Sequence, residues 1–227
     1  MPSVARTSRG TEMHAETQAA ADWWARPRGE ATASWIGNYQ HSLGLRHRTA
    51  IVDLVRDLQP ATLLEVGSHC GPNLMRLARE CPELRMIGVD VSADAVQAGT
   101  AWAQRQGVAD RVEFVVGSMP DGIARMPTGS IDVVLSCYTL AYVAPRDLDA
   151  VLYELGRVAK QAVLFVEPMT TGPAQEQQRT LGGYCEWAHD YQDACRWVQT
   201  LRTWTTRLVP IDPPVDRLNA ICVVTHP

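Results

Sequence analysis

The chain has 227 residues, of which 46% are hydrophobic and 20% charged: enough apolar side chain for a full core, and too much for a disordered chain. Its formal net charge of −4 at pH 7 argues against a dedicated nucleic-acid binder, which needs a cationic face, although a local patch can escape that average. No apolar run approaches the length of a membrane-spanning helix, and the opening "MPSVARTSRGTEMHAETQAA" lacks the apolar core of a secretory signal, so a cytoplasmic protein with no membrane partner is expected.

Residues 1 to about 15 are polar and expected to be loosely held. A helical region follows. "ETQAAADWWA" is built of helix formers, and "LRHRTAIVDLVRDL" puts Leu45, Ile51, Val52, Val55 and Leu58 on one face before Pro60 stops it. The pattern then changes to short apolar runs alternating with helical ones. "ATLLEV" reads as a first strand. "GPNLMRLAREC" reads as a helix with Pro72 in its first turn and an apolar stripe through Leu74, Leu77, Ala78 and Cys81. "LRMIGVDV" is a second strand ending at Asp90. "SADAVQAGTAWAQRQG" is a helix capped by Ser92 and closed at Gly107. "RVEFVVG" and "IDVVLSC" are the third and fourth strands, "RDLDAVLYELGRVA" a helix and "AVLFVEP" the fifth strand.

Alternating strands and helices imply crossover connections and a parallel sheet covered on both faces, and the nearly all-apolar strands agree. "CEWAHDYQDACRWVQTL" reads as a further helix. "TWTTRLVPI" and "NAICVVTHP" are joined too closely for a crossover helix and should pair antiparallel at the sheet edge. The fold class expected is α/β: a Rossmann-like, seven-stranded, mostly parallel sheet with an antiparallel last strand, helices on both faces and an N-terminal helical cover. Residues 1–59 form the tail and helical lid segment, and residues 60–227 the core. The six cysteines contain no CxxC pair and several sit in apolar runs, so packed reduced thiols are expected rather than disulfides or a metal site.

The turn after the first strand, "LLEVGSHCGPNL", is a binding place by construction, because the backbone N–H groups at a helix start are unpaired. Asp90 stands 19 residues after Gly71, near the spacing at which a carboxylate takes two ribose hydroxyls, so an adenine nucleoside is expected. A dinucleotide loop wants G-x-G-x-x-G. Counted from Gly67, His69 and Pro72 occupy the other two glycine positions, and a nicotinamide-dependent oxidoreductase is therefore the weaker alternative.

From Leu63 to Pro168 the chain resembles class I S-adenosylmethionine-dependent methyltransferases, in order: "LLEVGSHCG" the cofactor loop, "IGVDVS" the ribose-binding strand end, "VEFVVGSM" the adenine-side strand and "IDVVLSCYTLAYV" the active-site strand and loop. The resemblance implies S-adenosyl-L-methionine as cofactor, met by Glu65, Gly67, Ser68, His69, Gly71, Asn73, Asp90, Val91, Ser118, Met119, Cys137 and Tyr39. Gly67 and Gly71 would admit the methionine part, Asp90 would hold the ribose, and Ser118 and Met119 would line the adenine pocket. Glu65 would either brace the loop or meet the cofactor ammonium. His69 stands where the family usually has its middle glycine, and Ser118 where many members carry an acidic residue; a catalytically silent partner subunit is thus a further alternative.

For the reaction, His189 in "EWAHDYQ" is the candidate base, or else part of a helix-start cluster bracing the sheet edge, with Tyr138 bordering the methyl group and Glu167 on the ligand side facing the acceptor; Tyr142 and His41 rank below them. Trp23, Trp24, Trp35 and Tyr39 are expected to cover the site or to pack on the sheet. Arg46, His47 and Arg48 read as a solvated helix face, the alternative being a contact with the cofactor carboxylate or an anionic acceptor. "DPPV", Asp212 to Val215, reads as a rigid turn. The acceptor expected is a small molecule or short peptide methylated at oxygen or nitrogen, such as a natural-product or sugar intermediate, with no nucleic-acid partner. The protein is expected as monomer or homodimer.

Overall fold

The computed structural model describes residues 13–119, 121–179, 184–215 and 218–227. The polar start, residues 1–12, lies outside the described residues. Seven strands form one sheet: β1 (Thr62–Val66), β2 (Arg85–Asp90), β3 (Val112–Val116), β4 (Ile131–Cys137), β5 (Ala159–Val166), β8 (Thr205–Val215) and β9 (Leu218–Thr225). Their order is β3-β2-β1-β4-β5-β9-β8. All pairings from β3 to β5 are parallel; β9 runs antiparallel to both β5 and β8. The expected mostly parallel sheet with an antiparallel last strand is thus what the chain forms.

Side chains alternate along each strand, so each central strand feeds two cores. Leu63, Val133, Leu135, Leu164 and Val166 join one cluster with residues of α3 (Arg46–Leu58), α4 (Pro72–Glu80) and α5 (Ala93–Gln106). Leu64, Val66, Val134, Val163 and Phe165 join the other, with residues of α6 (Asp121–Ala124), α7 (Leu148–Val158) and α8 (Tyr191–Trp197). Local signals set the helix ends. Ser92 accepts the Ala95 N–H at the start of α5, and Gly107 closes it in the left-handed conformation. Pro72 opens α4, where its missing N–H leaves no donor unpaired.

Three expectations need correction. α3 falls in the 1–59 lid segment but is a core helix, with Ile51, Val52, Leu54 and Val55 buried against the sheet. Among the described residues before it, α1 (Ala15–Ala25) and α2 (Thr32–Gln40) contribute to the cavity lining. The helix expected from Cys185 begins at Tyr191; Cys185–Ala188 is instead β7, paired antiparallel with β6 (Gln175–Arg179) in a separate two-stranded sheet. The Asp212–Val215 string lies within β8, where the register with β9 shifts between Pro210 and Val215, rather than forming the turn itself.

None of the six cysteines is joined in a disulfide. No helix among the described residues is long and apolar enough to cross a membrane.

Candidate cofactor and acceptor site

Strand order reverses at β1, with β2 and β3 on one side and β4 and β5 on the other, so the loops after β1 and β4 part and leave a crevice at the strand ends. A cavity of about 510 Å³ fills it, roofed by α1 and α2. Of the residues singled out from sequence, Tyr39, Glu65, Gly67, Ser68, His69, Asn73, Asp90, Val91, Met119, Cys137, Tyr138 and Tyr142 line it.

Asp90 ends β2 on the cavity wall. One carboxylate oxygen accepts the Ser92 N–H at 2.8 Å and the other the His69 N–H at 2.7 Å. Burial raises its pKa and these two bonds oppose the rise. Each oxygen keeps a second lone pair for a ligand. Glu65, near the end of β1, is enclosed. Its Oε1 accepts from Asn73 Nδ2 at 2.5 Å, and its Oε2 is buried with no hydrogen-bond partner. Burial pushes its pKa up to about 8, against the opposing pull of Asn73 and Arg48.

Arg48 is the residue that sequence reading misplaced. It is buried, not solvated: its Nη1 donates to Asn73 Oδ1, its Nε to the Ser42 carbonyl at 2.9 Å and its Nη2 to Ser42 Oγ at 2.8 Å. Its neighbour His47 is buried too, and both line the cavity. The signal lay in the spacing, since Arg48, Ile51, Val52 and Val55 share one helical stripe. Burial, then the Arg48 charge, lowers the His47 pKa to about 4, so its imidazole is neutral at pH 7.

Gly67, at φ +67, is backed by Thr139: a Cβ there would overlap that side chain. Gly71, at φ +77, is not in the cavity lining. It caps α4, and a Cβ would run into the Phe114 ring, so packing there requires its smallness. Ser118 is likewise outside the lining, between Gly117 and Met119, which belong to it.

The catalytic expectations fare differently. Tyr138 follows β4 at φ +53 and borders the cavity. His189 does not line it. His189 sits in an isolated bridge to Met169 after β7, 1% exposed, with Nε2 3.0 Å from the Val143 carbonyl and a pKa lowered by burial to about 4. Because β7 replaces the expected helix, the ring turns inward and braces the loop after β4. Glu167 is 0% exposed and also outside the lining. It accepts from Ser136 Oγ at 2.6 Å and from the backbone N–H groups of Thr139, Leu140 and Ala141, which fixes that same loop. Burial raises its pKa to about 6, opposed by these bonds. His41 is exposed.

The roof is aromatic. Trp24 packs on Tyr142 at 5.4 Å and on Trp35 at 6.2 Å, while the Arg28 guanidinium lies 3.9 Å from the Trp23 ring and 4.7 Å from that of Trp35. Thr17 anchors α1 by donating to Asp147 Oδ2 at 2.5 Å and accepting the Ala144 N–H at 2.9 Å. Thr17, Ala20, Ala21, Trp24, Tyr142 and Val143 give the cavity one uncharged wall. Glu65 and Asp90 line the cavity as well. A carboxylate with free lone pairs beside a buried orphan carboxylate oxygen fits a ligand carrying a diol and a cation, as an adenosyl amino acid does.

Residues 63–162, a little under half of the chain, match the family profile of a methyltransferase domain. A probable O-methyltransferase of Mycobacterium tuberculosis is 39% identical over 82 residues, which cover 36% of this chain and 35% of that protein. Catechol O-methyltransferase of Sus scrofa is 29% identical over 128 residues, covering 54% and 68% respectively. Among solved structures, the 1,6-didemethyltoxoflavin-N1-methyltransferase of Burkholderia thailandensis, with bound 1,6-didemethyltoxoflavin and S-adenosylhomocysteine, covers 96% of this chain and 92% of its own at a TM-score of 0.65 and 16% identity, a likeness of fold. Residues 63–162 thus match a methyltransferase domain, and the chain shares its fold with solved methyltransferases.

Proposed function

We propose that the chain transfers a methyl group from S-adenosylmethionine to an oxygen or nitrogen of a small, uncharged acceptor. The observation that carries this reading is Asp90, a carboxylate ending β2 at the cavity with both oxygens oriented by backbone N–H groups and a lone pair left on each. Asp90 takes the ribose hydroxyls, with Val91 and Met119 beside the nucleoside. The orphan Oε2 of Glu65 takes the ammonium, and Gly67, Ser68 and Asn73 shape the loop around the amino-acid tail.

The cofactor supplies a methyl group already activated on a sulfonium. What this chain adds is position and dryness. Cys137 and Tyr138 border the transfer point at the end of β4. Glu167 and His189 act one layer back, by fixing the loop that carries Tyr138 and Tyr142. The uncharged wall of Thr17, Ala20, Ala21, Trp24, Tyr142 and Val143 supports a neutral acceptor, because an ion there would be desolvated without a partner. The relatives above, two O-methyltransferases and a 1,6-didemethyltoxoflavin-N1-methyltransferase, are in keeping with such an acceptor.

Calorimetry with S-adenosylhomocysteine tests the reading. The wild type is expected to bind. Asp90→Ala loses charge-assisted bonds worth about 1.5–3 kcal/mol each, or at least a tenfold weaker Kd. No binding by the wild type, or undiminished binding by the variant, overturns it.

A further inference from the structure

His69 stands in the turn between β1 and α4, with φ +52, a left-handed conformation that a glycine would hold without strain. Its ring is buried at 6% exposure. It stacks on Tyr39 with centroids 3.7 Å apart and planes 22° from parallel, and meets Trp35 edge-on at 4.4 Å. Both partners lie on α2, the helix over the cavity. Neither ring nitrogen has a hydrogen-bond partner, so packing, not hydrogen bonding, holds the imidazole there. The rest of the attachment of α2 is largely to other parts of the cover, with Trp35 on Trp24 at 6.2 Å and 4.7 Å from the Arg28 guanidinium. Ile36 is its only buried residue, and Thr32 Oγ1 reaches Asp94 Oδ2 at a long 3.4 Å. An element with so few buried contacts opens at low free-energy cost.

We propose that His69 is a positioning residue that latches α2 over the cavity by stacking on Tyr39, so that the loop cradling the cofactor also sets the height of the acceptor roof. The same residue donates its backbone N–H to Asp90, at 2.7 Å. Floor and roof therefore meet in one residue, and roof opening is coupled to ligand exchange. This coupling rests on the cofactor reading above; the latch itself does not.

The test is hydrogen exchange on the full, ligand-free chain. His69→Gly relieves the strained backbone and removes the ring, so it is expected to fold. Exchange of the α2 amides, residues 32–40, should quicken roughly 2- to 12-fold, the factor corresponding to the ~0.5–1.5 kcal/mol of an aromatic pair, while β1, β4 and β5 keep their protection. His69→Phe keeps a flat ring and should restore slow exchange. Tyr39→Ala should reproduce the glycine variant, and the double variant should open no further than either alone. The dissociation rate of S-adenosylhomocysteine should rise by the same factor in His69→Gly and fall back in His69→Phe. Unchanged α2 exchange in His69→Gly, or a phenylalanine variant as fast as the glycine one, overturns the latch. A wild type that binds no S-adenosylhomocysteine sinks the cofactor reading and the coupling with it, whereas the exchange result then judges the latch separately.

Discussion

Glu65→Gln isolates one buried proton. Burial holds the Glu65 carboxyl at about 8 in the folded chain, against an ordinary value of 4.5. The folded state therefore binds this proton more tightly than the unfolded state does. Its contribution to stability is largest below the unfolded value and is lost as pH rises from 4.5 toward 8. Each pH unit in that window is worth ~1.36 kcal/mol, less as the folded value is approached. His47, His69 and His189, lowered by burial to about 4, 3 and 4, act with the opposite sign below 6.5, but the glutamine variant shares them and they cancel in the comparison. Urea unfolding of both proteins at pH 6, 7 and 8 should show the variant gaining about 2 kcal/mol on the wild type across that range. Parallel profiles would refute the buried, protonated carboxyl. A companion reading follows if the ligand ammonium meets Oε2: binding of S-adenosylhomocysteine at pH 7 should release close to one proton from the wild type and none from the variant, measured by calorimetry in buffers of different ionisation heat.

Glu167→Ala orphans two buried backbone donors, the half-buried one of Thr139, and Ser136, at ~1–3 kcal/mol for each buried donor; a loss above about 3 kcal/mol in thermal or urea melts is expected, and a melt matching the wild type would remove Glu167 from the loop's support. Gly67→Ala forces a Cβ into Thr139 at φ +67, with an expected loss of about 1–3 kcal/mol and weaker S-adenosylhomocysteine binding. Adding Thr139→Ala should return the part due to the clash and leave the backbone part; no recovery in the double variant would show that Thr139 is not the obstacle.

The chain order of strands and helices was legible because it is written in short-range signals: apolar runs of strand length, Ser92 and Gly107 at the ends of α5, and Pro72 in the first turn of α4. Asp90 was legible for the same reason, as the last residue of an apolar strand. The β6–β7 sheet was not, because "QEQQR" carries no apolar alternation and Trp187 and Tyr191 imitate a helical stripe. A strand that pairs with only one polar neighbour leaves almost no imprint on its own sequence.

The sequence by itself determined that a parallel sheet with an acidic strand end would meet a glycine-bounded turn, since periodicity and turn chemistry are local. Only the tertiary structure decided what surrounds that turn. It buried Arg48, turned His189 and Glu167 away from the cavity to brace a loop, and brought the His69 ring against Tyr39 thirty residues away. Those outcomes depend on which elements lie against each other in space, and a side chain's partner across that distance is fixed by packing rather than by any neighbour in the chain.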